Sequence, residues 1–397
     1  MAKDGALMGS RRKNMQLREI RVSNFKSLVD FKLSLHDFNC LIGLNGAGKS
    51  TVLQFMDFLA QQVKGDLDEW LEERDWKATD INCKLGNNRK RLVTFSVNIS
   101  LSENELLHWN ASFNPVEMKC TSEDILFSNE EGAKTLLMVS GGGYHLENKG
   151  TQEIPFDYQG SIISQLKEKD LPPEVKQLKA FFMKFRSLEL LAPQALREKA
   201  QTSSGELGLG GQRLSAFIHE MSPNQKIKLG EQLKGAYPRL KDIETKALRS
   251  GWKELNIAES FGNQVLPTEA RHMNDGMLRI MAILAQLMTE HSFMAFDEVE
   301  NGINPELIEY LIDTLVSAEQ QVLVTTHSPM ILNFMEDDVA VDSVQYLFKT
   351  VDGYTRSIPF FSIPSLKEKL TVMGPGEAFI DTDLTQLGDE IASLTQE

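Results

Sequence analysis

The sequence has little that would point to a secreted or membrane-spanning protein. Only three cysteines occur in 397 residues, Cys40, Cys83 and Cys120, and their scattered spacing indicates neither a disulfide framework nor a zinc site. No apolar run reaches the roughly 18 residues that a membrane helix requires, and the N-terminus has no signal-peptide core. We therefore expect a cytoplasmic protein without a membrane span.

Basic residues are outnumbered by acidic ones. The formal net charge is −14 at pH 7, from 42 Lys and Arg against 56 Asp and Glu. Such a surface as a whole does not favour non-specific nucleic-acid binding, which depends on neutralising phosphates. Any contact with nucleic acid would have to be local or indirect. The 41% hydrophobic and 25% charged content is typical of a globular protein, and the length allows one large domain or two to three ordinary ones.

A glycine-rich motif follows the first strongly apolar strand pattern. FNCLI at residues 38–42 runs directly into GLNGAGKS at residues 43–50, and a helix pattern follows. The motif fits G-x-x-x-x-G-K-S, in which backbone N–H groups at a helix N-terminus surround phosphates. Lys49 would reach the β- and γ-phosphates, and the Ser50 hydroxyl would bind Mg²⁺. The expected nucleotide-binding residues are Asn45, Gly46, Ala47, Gly48, Lys49, Ser50 and Thr51.

Two later strand patterns end in polar residues. Asp297 and Glu298 follow FMAF at residues 293–296, and His327 follows the apolar run that ends in TT. In open α/β sheets, ligands bind at the carboxyl ends of the strands. We expect Asp297 to hold Mg²⁺, Glu298 to activate the attacking water, and His327 to hydrogen-bond the γ-phosphate.

Two segments compete for the signature motif of ABC ATPases, whose transport members carry LSGGQ. GLGGQ at residues 208–212 is the closer match in letters, but Gln212 lies 85 residues before Asp297. Asn274-Asp275-Gly276 begins 23 residues before Asp297, which leaves room for one helix and a short strand. We therefore interpret Asn274, Asp275 and Gly276 as the signature, and residues 208–212 as a glycine turn before a helix.

Together these motifs resemble one family. IRVSNFKSL, GLNGAGKS, NDGMLRIMAIL, FDEVENGINP and TTHSP occur in this order. The chain resembles a RecF/SMC-type ABC ATPase of the group that includes the ATPase half of OLD-family proteins. The resemblance implies ATP and Mg²⁺ as ligands and a homodimer or higher oligomer in which two domains enclose two ATP molecules. It also implies that Gln194 is the Q-loop residue that links Mg²⁺ to a helical lobe. Asn274 replaces the family's usual serine.

The expected fold is α/β, an ABC-type ATPase head. A mixed sheet carries the phosphate loop, an antiparallel meander covers about residues 91–146, and a helical lobe is inserted. We expect a flexible N-terminus over residues 1–14 and a discontinuous nucleotide-binding lobe over residues 15–193 and 290–397. Residues 194–289 would form the helical lobe with the signature.

Two functions remain open on the sequence. Stand-alone ATPases of this group resemble components of the anti-phage systems Septu, PARIS and some retrons, in which a separate nuclease is the effector. This favours an ATP-dependent sensor, scaffold and regulator of a separately encoded nuclease. The alternative is a RecF-like ATP-dependent DNA-binding protein of genome maintenance. Asp381-Thr382-Asp383 resembles the metal pair of the OLD nuclease domain, but only 14 residues follow; we interpret it as part of a polar tail and expect no nuclease activity.

Overall fold

The computed structural model describes residues 15–86, 91–188, 192–384, 387–388 and 390–391. The predicted flexible segment, residues 1–14, lies outside the described residues. The chain divides into two compact units. The first contains the described residues up to His36, Phe58–Met183 and Thr350–Arg356; the second contains Asp37–Asp57, Lys184–Lys349 and the described residues from Ser357 onward.

The strands are β1 (Gln16–Ser23), β2 (Phe31–Ser34), β3 (Phe38–Ile42), β4 (Val93–Ser100), β5 (Leu106–Asn114), β6 (Lys119–Asn129), β7 (Gly132–Ser140), β8 (Gly143–Leu146), β9 (Gly150–Glu153), β10 (Phe185–Leu188), β11 (Leu240–Ala247), β12 (Lys253–Phe261), β13 (Gln264–Glu269), β14 (Phe293–Phe296), β15 (Gln321–Thr325), β16 (Val344–Lys349) and β17 (Thr355–Pro359).

The α-helices are α1 (Lys49–Lys64), α2 (Leu67–Glu72), α3 (Pro173–Met183), α4 (Pro193–Leu196), α5 (Leu214–Glu220), α6 (Pro223–Ala236), α7 (Asp275–Leu287), α8 (Ile308–Val316), α9 (Pro329–Asn333), α10 (Asp337–Ser343), α11 (Pro364–Lys369) and α12 (Pro375–Ile380). Among the residues that the structure describes, no helix combines the length and the apolar character that a membrane crossing needs.

The first unit is built on an eight-stranded antiparallel sheet in the order β2-β1-β4-β5-β6-β7-β8-β9. Its strands alternate between buried and more exposed side chains, most regularly in β5, as a sheet with one covered face requires. Trp109 and Phe113 of β5 are fully buried. The predicted antiparallel meander is therefore confirmed, and it extends beyond residue 146 through β9.

A six-stranded sheet has the order β10-β14-β15-β3-β16-β17, and its first five strands lie in the second unit. These five strands run parallel to one another. Every residue of β3, β14 and β15 is buried, which explains their continuous apolar pattern. Because these three strands are adjacent and parallel, the phosphate loop, the acidic pair and the histidine emerge at one edge of the sheet.

The lobe predicted to be helical contains a sheet. Strands β11, β12 and β13 form a three-stranded antiparallel sheet, so the helical prediction is wrong for residues 240–269. The cause is visible in β11, where only Leu240 is buried and the exposed positions are mostly charged, because a half-exposed strand carries polar residues outward. The predicted lobe boundaries, at 194 and 289, also do not coincide with the two units, since residues 37–57 and 184–349 belong to one unit.

The C-terminal segment is more than a polar tail. Ala378, Leu387 and Ile391 are at most 2% exposed and belong to the hydrophobic core of the second unit. A Cβ at Gly376 would lie 2.6 Å from the Pro329 carbonyl oxygen, so α12 packs closely against α9. Only a few apolar residues make these core contacts, and the rest of the segment is polar. The composition therefore suggested a polar tail.

Candidate functional site

The phosphate loop adopts the conformation that its glycines permit. Gly43, Gly46 and Gly48 have φ values of 148°, 79° and 110°, a region that side chains disfavour. A Cβ at Gly43 would also overlap the Leu347 carbonyl oxygen. Helix α1 begins at Lys49, so its free backbone N–H groups and the positive end of its dipole lie at the loop.

Lys49 lies inside this loop with its ammonium group on backbone carbonyls. Its Nζ donates to the Gly43 oxygen at 2.8 Å and to the Leu44 oxygen at 3.4 Å. Burial lowers the pKa of Lys49 from its usual value, and the nearby carboxylates, led by Asp297, act in the opposite direction. The loop therefore holds a largely desolvated cation where an anionic phosphate group would replace weak carbonyl contacts.

Ser50 and Asp297 form a compact oxygen pair. The Ser50 Oγ donates to Asp297 Oδ2 at 2.9 Å, and Thr325 Oγ1 donates to the other carboxylate oxygen. Hydroxyl and carboxylate oxygens are the protein ligands that Mg²⁺ accepts, with water and phosphate oxygens completing its octahedron. Two of the three residues that the sequence assigns to Mg²⁺ thus lie together, and their donor set fits the ion.

Glu298 occupies a strained position at the end of β14. Its φ is +45°, which is uncommon for a side chain with a Cβ and is found most often at functional sites. The backbone N–H of Glu298 donates to Thr325 Oγ1 at 2.8 Å, and Asn301 Nδ2 donates to Glu298 Oε2 at 3.3 Å. Thr325 therefore holds both members of the acidic pair.

His327 bridges the phosphate loop and the acidic pair. Its Nδ1 lies 3.3 Å from Lys49 Nζ, and its Nε2 lies 3.3 Å from Glu298 Oε1. The imidazole and the Glu298 carboxylate are about one third exposed, at 35% and 37%. Direct polar contacts thus join Lys49, His327 and Glu298, and a separate contact joins Ser50 to Asp297. Thr325 connects the two groups through the backbone of Glu298.

The signature segment has a different environment. Asn274 and Asp275 are exposed, and Gly276 is buried. The Asn274 side chain accepts a hydrogen bond from Met277 N at 2.7 Å and so caps α7. Helix α7 is followed by the buried strand β14, as the spacing argument predicted, whereas Gly208–Gly211 forms a turn before α5.

Gly276 faces the loop that follows the acidic pair. A Cβ at residue 276 would lie 2.9 Å from the Gly302 carbonyl oxygen, so the glycine is needed within its own chain as well as for the predicted approach of a neighbour. A Cβ at residue 302 would likewise lie 3.5 Å from the Nε of Arg279, one turn further along α7. Arg279 is 7% exposed, and its Nε has no hydrogen-bond partner among the residues that the structure describes. Burial lowers its pKa, and the carboxylates of Asp275, Glu298 and Glu300 oppose this.

Gln194 lies on α4 with an exposed side chain. No hydrogen bond joins its side chain to Ser50 or Asp297 within the described part of the chain, so its role as Mg²⁺ ligand stays a prediction. The same helix is nevertheless tied to the signature. Arg197 donates to the Pro193 oxygen at 2.8 Å, to the Met273 oxygen at 2.7 Å and to Asp275 Oδ1 at 2.5 Å.

Sequence reasoning missed the residues that orient the predicted ones. Arg197 lies outside the motifs, and Thr325, Asn301 and Arg279 lie within TTHSP, FDEVENGINP and NDGMLRIMAIL but received no role from the sequence. A signal existed for Thr325, because a hydroxyl at the last position of a buried strand needs a hydrogen-bond partner at the sheet edge.

Comparison with known proteins identifies the family and the fold. The family model of the AAA ATPase domain matches residues 15–332. A crystal structure of an Smc head bound to the C-winged helix domain of ScpA has a TM-score of 0.55 and 12% identity, and the match covers 90% of this chain and 99% of that one. A Pyrococcus furiosus Smc head with an extended coiled coil, bound to the C-terminal domain of ScpA, has a TM-score of 0.53 and 11% identity, over 90% and 100%. These likenesses show a shared fold. No curated protein matches the sequence.

Proposed function

The chain belongs to the AAA ATPase domain family, and from that premise we propose that it binds ATP with Mg²⁺ and hydrolyses it. One observation carries the proposal. His327 contacts both Lys49 and Glu298, and Ser50 is hydrogen-bonded to Asp297. A phosphate-binding cation, a Mg²⁺ donor pair and a candidate base therefore lie at one sheet edge.

Each side chain has a distinct role in this proposal. Lys49 and the N-terminus of α1 bind the β- and γ-phosphates. Mg²⁺, held by Ser50 and Asp297, would neutralise charge on the phosphate oxygens. Glu298 orients and deprotonates the attacking water, and Thr325 and Asn301 hold its backbone and carboxylate. His327 exchanges its contact with Lys49 for one with the γ-phosphate.

We propose that hydrolysis requires a second copy of the chain. Asn274 and Asp275 are exposed at the N-terminus of α7, where a helix favours an anion. A neighbouring protomer can offer the phosphates of its own nucleotide to this surface. This arrangement, with two nucleotides between two protomers, makes the assembly depend on ATP.

At the cellular level we propose that the protein is an ATP-dependent sensor, scaffold and regulator of a separately encoded nuclease. That nuclease would be the effector in anti-phage defence. The motif resemblance supports this role. Asp381 is the first residue of the carboxylate pair that resembles a nuclease motif. It follows α12 as its C-cap, and its Oδ2 lies 3.1 Å from Lys369 Nζ. This ion pair supports a structural role for Asp381.

Expression of the gene together with its neighbours tests the cellular proposal. A nuclease encoded beside this gene should co-purify with the protein, and substitution of Lys49 should abolish or deregulate its toxicity. The isolated protein should cut neither DNA nor RNA with Mg²⁺ or Mn²⁺. Cleavage that disappears in Asp381→Asn would contradict the assignment of the nuclease to a partner. Tight, salt-sensitive duplex binding without any co-purifying nuclease would favour the RecF-like alternative.

A further inference from the structure

Glu300 lies two residues after the candidate base and holds the loop that carries His327. Its Oε1 accepts three hydrogen bonds, from Thr326 Oγ1 at 2.7 Å, His327 N at 3.1 Å and Ser328 N at 3.2 Å. The three donors come from consecutive residues. One carboxylate oxygen therefore fixes the backbone directly at His327.

The environment of Glu300 does not suit a general base. A base must reach a water molecule at hydrogen-bond distance, but Oε1 already accepts three hydrogen bonds. The other oxygen, Oε2, is buried and accepts no hydrogen bond from the described part of the chain. Glu298, whose side chain is 37% exposed, has the access that Glu300 lacks.

The loop is also braced internally. Ser328 N donates to Thr326 Oγ1 at 2.8 Å, so the segment between these residues is a compact turn. The imidazole ring extends from this turn to Lys49 and Glu298, each at 3.3 Å. Because both contacts are near the upper limit for a hydrogen bond, a small backbone shift would place the ring out of reach.

A second contact joins Glu300 to the signature helix. The Ile303 N–H donates to the Glu300 backbone oxygen at 3.1 Å, which closes a turn around Gly302. The Gly302 carbonyl oxygen lies so near Gly276 of α7 that a Cβ at residue 276 would be 2.9 Å from it. The residue that holds the histidine loop thus begins the turn on which the signature helix packs.

We infer that Glu300 is a positioning residue for ATP hydrolysis, which acts by holding His327 between Lys49 and Glu298; the inference rests on the proposed function. It assigns a role to the third acidic residue of FDEVE. The charged carboxylate suits this role, because hydrogen bonds to an ionised acceptor are about twice as strong as those to a neutral one.

The test compares Glu300→Ala and Glu300→Gln with Glu306→Ala, a substitution at an exposed glutamate of the same segment. Glu300→Ala should lower kcat about 10- to 100-fold, the order expected when a catalytic group is displaced by about 1 Å. Glu300→Gln, which keeps an acceptor oxygen, should lower kcat less than about tenfold. KM and the affinity for a fluorescent ATP analogue should change little in both, because the phosphate loop is untouched.

The decisive readout is a double substitution with His327→Ala. If Glu300 acts through His327, adding Glu300→Gln or Glu300→Ala to His327→Ala should change kcat by less than about threefold, because coupled residues are not additive. Multiplicative losses would overturn the inference. A loss in Glu300→Gln as large as that in Glu298→Gln would overturn it too, by making Glu300 the base.

Stability and the proposed function are controlled separately. Glu300→Ala could melt at a much lower temperature than Glu306→Ala. The positioning role is then tested by the effect of Glu300→Gln on kcat, measured in the wild-type and in the His327→Ala background. If Lys49→Ala hydrolyses ATP as fast as the wild-type protein does, the proposed function itself is refuted. Hydrolysis that requires Lys49, with wild-type kcat in both Glu300 variants, would refute only the positioning role.

Discussion

Two regions of the second unit carry the predicted site residues, and they are built differently. In the phosphate edge, which we define as Lys49, Ser50, Asp297, Glu298 and His327, each side chain contacts at least one other member. The signature face, which we define as Gln194, Asn274 and Asp275, is exposed. Its polar contacts lead to its own helix or to Arg197.

Under the proposed function, this difference fits separate roles for the two regions. Groups that bind phosphate and activate water gain from being assembled before the nucleotide arrives, because catalysis depends on preorganised charge. Groups that meet a neighbour's nucleotide need only a fixed backbone and an accessible surface. The N-cap of α7 and the ion pair with Arg197 provide that fixed backbone.

The largest expected effect is at the phosphate edge. Lys49→Ala removes the cation that faces the phosphates and leaves the backbone loop in place. We expect loss of most ATP affinity and of all turnover, measured by titration with a fluorescent analogue and by phosphate release. Lys228→Ala, at an exposed lysine of α6, is the matched control. Turnover in Lys49→Ala near that of the control would refute the phosphate-loop assignment.

The second effect separates chemistry from binding. Glu298→Gln keeps the shape of the side chain and removes the base, so hydrolysis should fall by roughly 10²–10⁴. ATP should still bind, and the variant should accumulate as an ATP-bound assembly in size-exclusion chromatography. A fall of only a few-fold would show that another group activates the water.

The phosphate edge could be predicted from sequence because each part is local. A glycine-rich loop, an acidic pair and a histidine each follow an apolar strand, and parallel strands bring their carboxyl ends to one edge. The helix-then-strand spacing also identified Asn274 at the start of α7, although GLGGQ offered more matching letters.

The supporting contacts could not be predicted in this way. Arg197 meets Asp275 across 78 positions of sequence and Glu300 meets Thr326 across 26, and no periodic pattern encodes such pairs. The sheet of β11–β13 was missed for a different reason. Its outward charged residues hide the two-residue alternation that identifies a strand.

The third effect tests the signature face against a neighbouring protomer. Asn274→Asp keeps a side chain that caps helices well but adds a negative charge where a neighbour's γ-phosphate would bind. We expect turnover to fall about tenfold or more through charge repulsion, with little change in ATP binding by the same protomer. Asn274→Ser, which keeps the cap without the charge, is the control and should remain active.

Mixing variants decides whether this effect acts between protomers. A mixture of the Asn274→Asp protein and the Lys49→Ala protein should regain activity. A dimer of one chain of each contains one site with an intact loop and an intact signature. If subunit exchange is confirmed and no ratio of the two restores turnover, the two-protomer site is wrong. We prefer this pair to Gly276→Arg, since a side chain at 276 would also collide with Gly302 in its own chain.

The smallest effect concerns the contact between α4 and the signature. Arg197→Lys keeps the charge but loses the planar group that reaches Met273 O and Asp275 together. The paired side chains are 25% and 50% exposed, and an ion pair of this kind contributes about 0.2–1 kcal/mol, at most about a fivefold change in rate. We therefore expect kcat to fall two- to fivefold, about the size that the ion pair allows. Arg249→Lys, at an exposed arginine, is the control.

A double substitution tests whether Arg197 acts through the signature. Combining Arg197→Lys with Asp275→Asn should lower kcat little more than either substitution alone, because both remove the same interaction. Fully multiplicative losses would show that Arg197 acts on hydrolysis by a route other than the signature.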